Sequence, residues 1–393
     1  MPRVSRRDVI RMAAMGMPVF AAVSTEHTHA AAELPPVGEA TPNGLIVRQA
    51  NPDNLEGPFA DGLSEITQNG HFFVRSHFAV PEIDSATWRL RIEGHVNQAV
   101  ELSLEQLKSL PQVSHQATLE CAGNTRGYLS PAVKGVQWNL GAVGNAAWSG
   151  VRLSDVLKLA GVKRGALEVV FEGADTGEIK DPPRPTGTIH FARSMPISRA
   201  HQEDVILALS MNGEPLPKSH GGPMRVLVPG WYAVASVKWL ARIVVTDRPF
   251  TGHFQTVDYA YWERRNGLPN RIPVSEMQTK AEISRPAPGE VLAADKPYRI
   301  TGAAWTGDSQ IQKVEISDDG GTTWKLAKLI GKPVRHTWRL WQFDWITPST
   351  AQTSTLLARA TDARGSVQPM QRQPDRENYM INHVIPIKVN IRS

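Results

Sequence analysis

Cysteine is almost absent from this chain. Cys121 is the single example in 393 residues. One thiol closes no disulfide within the chain, so cysteine staples nothing here. CxxC and HExxH spacings are missing, which argues against a structural zinc site held by protein alone. The covalent haem signature C-x-x-C-H is also missing. So are the G-x-G-x-x-G and Walker loops that cradle dinucleotides and nucleoside phosphates. Charge of one sign is not in excess: 43 Lys and Arg face 38 Asp and Glu, for a net charge of +5. No basic block accompanies it, so nucleic acid is excluded as the main partner. Long apolar runs are lacking too. The longest mild one, residues 12–23, falls short of the roughly 20 residues a membrane-spanning helix needs. Internal repeats and low-complexity tracts are absent.

What is present is a globular, loop-rich composition, with 41% hydrophobic residues, 31 Gly, 29 Pro and 11 Trp. The length predicts two domains. Residues 1–32 read as an address. Ser5-Arg6-Arg7-Asp8-Val9-Ile10 is followed by the mild apolar run and then by Ala30-Ala31-Ala32. Paired arginines, a short apolar stretch and a small-residue cleavage site make a twin-arginine export signal. That route carries folded proteins, often around an inserted cofactor, and it predicts a periplasmic location.

Residues 33–70, rich in Pro, Asn and Gly, read as an extended lead-in. A strand is expected within 71–81, ended by Pro81, with Arg75 and His77 on one face. Residues 88–94 alternate as a strand does. Ser103 and Gln106 mark a capping box for a short helix before Pro111. Residues 113–120 form a strand that delivers Cys121 to a Gly-Asn turn. A helix over 153–160 stops at Gly161. Further strands are expected at 167–172, 205–211 and 226–228. Asn266 to Val274 reads as a linker between domains. Beyond it, strand signals recur every 8–12 residues with turns such as Asp318-Asp319-Gly320-Gly321. That rhythm over 278–393 predicts an immunoglobulin-like β-sandwich.

Cys121 sits among Gly123, Asn124 and Arg126. Arginine near a thiol favours the thiolate. A lone thiolate suits a nucleophile, a haem ligand or a ligand to a soft metal. An inert buried cysteine calls for apolar neighbours, which this loop does not offer.

The run Leu119-Glu120-Cys121-Ala122-Gly123-Asn124-x-Arg126, followed by Lys134-Gly135-Val136-x-Trp138 and by Ala147-Trp148-x-Gly150-Val151-Arg152, resembles the molybdenum domain of the sulfite oxidase family. Phe73-x-Arg75-x-His77-x-x-Val80-Pro81 resembles that family's upstream motif. Met211-Asn212-Gly213-x-Pro215-Leu216-Pro217-x-x-His220-Gly221-x-Pro223-x-Arg225, with Val237-Lys238-Trp239, resembles its pterin-binding segment. Asp318-x-Gly320-Gly321-x-Thr323-Trp324 and Trp338-Arg339-Leu340-Trp341 resemble its dimerisation domain. The similarity runs in order over nearly the whole chain after residue 32.

The resemblance implies an α+β molybdenum-cofactor domain over 71–265 and the all-β sandwich, used for homodimerisation, after it. It implies molybdenum held by one pyranopterin dithiolene and by the thiolate of Cys121. By motif position, Phe73, Val74, Arg75, Ser76, His77, His220, Arg225, Ser236, Val237 and Lys238 hold the cofactor, and Asp175 contacts the pterin. The implied substrate is sulfite, in a pocket of Arg75, Arg126, Trp138 and Tyr259, with Tyr261 as the alternative tyrosine and Arg376 as the arginine from the C-terminal end. The sequence departs at Thr125, where an arginine is common in relatives, which implies a weaker positive field near the metal. Electrons are expected to leave to an external c-type cytochrome. A related molybdenum oxidoreductase acting on protein-bound sulfane or on a sulfoxide is the second reading. A metal-free periplasmic binding module is the third.

Overall fold

The strand before the cysteine forms as its alternation suggests, over Gln112–Glu120. A computed structural model describes residues 38–393, so the expected twin-arginine segment lies outside the described residues. Gln112–Glu120 pairs antiparallel with Val143–Arg152 without a break in register, from Gln112 opposite Val151 to Glu120 opposite Val143. Cys121 is the first residue past that ladder. Its N–H still donates across it, to the Ala142 carbonyl at 2.8 Å. The whole cysteine loop is therefore the closed end of a long hairpin. Ile206–Met211 extends the sheet on the other side of Val143–Arg152, and both Glu214–Pro215 and Arg225–Leu227 pair with it.

A second five-stranded sheet runs in the order Val100–Ser103, Arg89–Gly94, Leu240–Thr246, Glu168–Gly177, Ile189–Pro196. The short helices serve these sheets. Leu104–Ser109 has the expected capping box, with Gln106 N–H on Ser103 Oγ at 3.2 Å and Ser103 N–H on Gln106 Oε1 at 2.8 Å. Leu153–Ala160 buries Leu153, Val156, Leu157 and Ala160, the three-four spacing of a helix with one apolar face. Gly161 ends it in the left-handed region at φ 66°.

The C-terminal part is two sheets. One is ordered Lys280–Arg285, Pro297–Trp305, Arg339–Ile346, Lys328–Leu329. The other is ordered Val291–Ala293, Ile387–Arg392, Gln352–Asp362, Ile311–Ser317, Lys325–Leu326. Ile300, Trp305, Trp341, Val314, Ile316, Leu356 and Val389 share one core between them. This is the expected α+β part followed by a β-sandwich.

Three local expectations change. The strand expected over 71–81 is only Val74–Arg75, because the flanking residues turn inward to build a cavity wall. The lead-in is structured: Ile46–Ala50 and Asp53–Glu56 form a hairpin whose second strand pairs with Val74–Arg75. Residues 266–274 are no linker either. Ala260–Arg265 and Leu268–Pro273 form a hairpin closed by Asn266-Gly267, at φ 51° and 79°. Asn-Gly with both residues left-handed is the tight two-residue hairpin turn.

The described residues fall within one compact unit, and a buried ion cluster joins its two parts. Lys280, at the start of the first sandwich strand, reaches Glu120 at 3.0 Å and Glu282 at 2.8 Å, with all three side chains at 1% exposure. Its ammonium also donates to Thr125 Oγ1 at 3.2 Å. Trp305 Nε1 donates to the second oxygen of Glu120 at 2.9 Å. Burial and the neighbouring Glu120 charge push Glu282 up to about 7, although Lys280 opposes them. Replacing Lys280 by Met would leave two buried carboxylates unpaired. The expected loss in urea unfolding is about 3–5 kcal/mol at pH 8, and it shrinks at pH 6, where Glu282 can take up a proton. An equal loss at both values would contradict this.

Candidate functional site

Cys121 opens onto a cavity between the two sheets of the α+β part. Its walls come from residues 72–77, from 119–122, from Asp175 and Phe191, from 219–225, from 233–239 and from Tyr259. One end of this cavity is the thiol side. Arg75 is fixed there by the hairpin of the former lead-in. Its Nη1 donates to Asn54 Oδ1 at 3.1 Å, and the same oxygen takes the Ser76 N–H at 3.1 Å. Its Nη2 reaches the Tyr259 hydroxyl at 3.4 Å, and His77 Nε2 meets that hydroxyl at 2.7 Å. His77 stacks on Phe191 at 4.5 Å. Burial, helped by the charges of Arg75 and Lys238, holds His77 well below its usual range, so the ring is neutral. Burial also raises the Tyr259 phenol, which stays protonated. Tyr259 is left-handed at φ 54° and stacks on Tyr379 at 4.6 Å.

The other end collects cations. Lys238 Nζ donates to Ser76 Oγ at 3.1 Å and Ser219 O at 2.9 Å. Arg225 donates to His220 O at 3.1 Å and Ser236 O at 2.9 Å, while its Nε has no partner. Gly221, at φ 108°, lets these groups converge: a Cβ there would meet Lys238 Cβ at 2.9 Å and Arg225 Cβ at 3.2 Å. Burial lowers Arg225 to about 9 and His220 to about 3. Burial and Arg225 together push Lys238 well down. The one carboxylate here is Asp175, raised to about 6 by burial, and its Oδ1 has no partner.

This donor set fits a molybdenum–pterin group. Buried cations with lowered proton affinity and no matching acid require an anion from outside, such as a phosphate. The orphaned Asp175 oxygen suits the N–H edge of a pterin. Among the described residues, no cluster of three or more His, Cys, Asp and Glu is placed to hold a metal. A metal at Cys121 would take its other donors from the cofactor.

The structure brings together Phe73, Val74, Arg75, Ser76, His77, Cys121, Asp175, His220, Arg225, Ser236, Val237, Lys238 and Tyr259. Three expected residues stand outside. Arg126 donates to Asn378 O from Nε and Nη2 at 3.1 and 2.8 Å, and to Val136 O at 2.9 Å. Its guanidinium is thus held by carbonyls and lies over the Tyr379 ring at 5.5 Å. Trp138 is fully buried with Cys121 in an apolar cluster behind the cavity, its Nε1 unpartnered. Arg376 lies over Tyr261 at 4.1 Å and donates to Gln373, so the C-terminal arginine is not in the cavity. Tyr259, and not Tyr261, is the tyrosine that lines it. Cys121 itself is 5% exposed. The polar residues that flank it in sequence turn away, Asn124 towards Glu120 and Glu282 at 3.3 Å each. Thr125 is fully buried against Lys280 and does not face the cavity, so its effect on the field at the metal is indirect. Sequence reasoning missed Asn54, Tyr379 and Lys280. Alternation of charge with apolar residues in Lys280-Ala281-Glu282-Ile283 was the one available signal for the last.

The site and fold define a molybdopterin-binding oxidoreductase architecture. Residues 77–254 match the oxidoreductase molybdopterin binding domain, and residues 271–390 match the Mo-co oxidoreductase dimerisation domain. The chain is 37% identical to the sulfite oxidase of Gallus gallus, over 83% of this chain and 73% of that one. It is 32% identical to the sulfite oxidase of Arabidopsis thaliana, over 83% and 88%. The chain belongs to the sulfite oxidase family of molybdopterin oxidoreductases. The match to human mitochondrial sulfite oxidase, at 37% identity, spans 61% of that protein's length. Among solved structures, the sulfane dehydrogenase SoxCD from Paracoccus pantotrophus aligns with a TM-score of 0.75 and 26% identity, over 96% of both chains.

Replacing Lys238 by Met tests the cationic end. Pterin content after purification is expected to fall by roughly tenfold or more. The cofactor-free variant is expected to unfold no earlier than cofactor-free wild type, because the change removes a poorly matched buried cation. Marked destabilisation of the empty protein would contradict that reading.

Proposed function

We propose that this protein oxidises sulfite to sulfate with a molybdenum–pterin cofactor and passes the electrons to an external c-type cytochrome. One observation carries this reading: the single thiol of the chain shares a cavity with an arginine–histidine–tyrosine cluster on one side and a set of buried basic residues on the other. When bound, the cofactor supplies the oxygen atom and accepts two electrons. Cys121 provides a thiolate ligand. Lys238, Arg225 and His220 hold the phosphate, and Asp175 orients the pterin. Arg75 binds and orients the anionic substrate. Tyr259, its phenol protonated and seated between Arg75 and neutral His77, keeps a hydroxyl available on the thiol side of the cavity. Asn54 fixes Arg75 from behind.

The likeness to the sulfane dehydrogenase SoxCD over 96% of both chains favours protein-bound sulfane as the second substrate class. The Ser5-Arg6-Arg7 signal supports a periplasmic location, which retention in the cytoplasm on replacing both arginines by lysine would test. The match of residues 271–390 to a dimerisation domain supports a homodimer, readable by sedimentation.

Sulfite-dependent reduction of cytochrome c by the purified holoenzyme is the central test, run beside a protein-bound sulfane as donor and, with a reduced dye as electron source, a sulfoxide as acceptor. Cys121→Ser is expected to lower turnover by more than roughly a hundredfold, the scale already reached by outer partners of metal ligands. Tyr259→Phe is expected to lower kcat by about 10²-fold or more. Turnover of sulfane with none of sulfite would move the assignment to the second class.

A further inference from the structure

Among the described residues, Arg193 is the largest charged side chain to be fully buried, at 1% exposure. It sits on the strand Ile189–Pro196, two residues past Phe191, and so on the same face. Its Nη1 donates to Phe254 O and its Nη2 to Val274 O at 2.6 Å, while Nε has no partner. Among the described residues, no carboxylate pairs with it. Burial lowers its proton affinity, and the groups that oppose this are Tyr259 and Tyr379. A guanidinium held by two carbonyls alone is an expensive way to join backbone segments. The segments it joins are those on either side of Tyr259. Phe254 lies in the turn His253–Val257 just before the tyrosine. Val274 follows the hairpin after it, and its N–H donates to the Tyr259 carbonyl at 2.7 Å. Ser194 N–H adds a bond to Gln255 Oε1 at 3.2 Å in the same turn.

Resting on the function proposed above, we infer that Arg193 is a positioning residue for Tyr259. It ties the two flanks of Tyr259 together and so holds the tyrosine in its left-handed backbone conformation, with the hydroxyl on His77 and Arg75. A bulky residue at φ 54° is strained and stays there only if its surroundings impose it. A neutral side chain of similar size could fill the space that Arg193 occupies, but only the guanidinium fork reaches both carbonyls at once.

The test is a double-mutant cycle on molybdenum-loaded holoenzyme, with Arg193→Met, Arg193→Lys and Tyr259→Phe. Arg193→Met is expected to lower kcat for sulfite by about tenfold or more and, in the Tyr259→Phe background, by less than about twofold further. Arg193→Lys is expected to restore part of the activity. In the structure of Arg193→Met, the Tyr259 hydroxyl is expected to have left His77. Equal losses in both backgrounds, or an unmoved Tyr259, would overturn the inference. So would loss of folding or of molybdenum in both Arg193 variants, which would make Arg193 a residue of the fold alone. Wild type that fails to oxidise sulfite would refute the proposed substrate, while the position of Tyr259 in the Arg193→Met structure would still decide the inference.

Discussion

A buried ammonium holds the reactive end of this molecule in place. Lys280 arrives from the sandwich and sits under the cysteine loop, bonded to Glu120 and Thr125 on one part of the chain and paired with Glu282 on its own. Glu120 is the residue before Cys121. The loop that carries the thiol has no regular structure of its own beyond one short turn, so its geometry has to be imposed. Asn124 completes the arrangement by donating to both carboxylates and accepting the Ala142 N–H at 3.0 Å. Unpaired, each of these charges would be costly at this depth. Together they make the second domain part of the catalytic scaffold. The loop around Tyr379 adds to this, since Met380 N–H donates to Ala122 O at 2.7 Å.

The cavity follows the opposite rule. Under the thiol loop one ammonium is shared by two carboxylates, and acids outnumber cations; around the cavity cations outnumber acids. Lys238, Arg225 and Arg75 gather against a single carboxylate, and burial has lowered the proton affinity of Lys238 and Arg225. The chain accepts that instability because the missing negative charge comes with the ligand. Arg75 lies at the thiol end. Asn54 anchors it, Tyr259 and Cys121 favour its charge against the opposing effect of burial, and it faces the place where a small anion would meet the thiol.

Much of this was legible in the sequence, because the chemistry sits in contiguous motifs. The cysteine turn, the Arg75–His77 pair, the His220–Arg225 segment and Lys238 each carry their meaning locally, and the structure converges them on one cavity. What was not legible depends on contacts between distant parts of the chain. Lys280 and Glu120 are 160 residues apart, and nothing in either segment announces the other. Arg126, Trp138 and Arg376 show the complementary limit: the residue type is right, but which way a guanidinium or an indole turns is decided by nearby carbonyls and rings. The expected linker at 266–274 is a matter of ambiguous turn chemistry, since Asn and Gly mark flexible segments and tight hairpins alike.

The central claim is that Cys121 ligates the metal. X-ray absorption at the molybdenum edge of the purified holoenzyme tests it most directly. The account predicts three sulfur neighbours in the wild type, two from the pterin dithiolene and one from Cys121, falling to two in a Cys121→Ser variant that retains its molybdenum. A sulfur count unchanged by the substitution would contradict it.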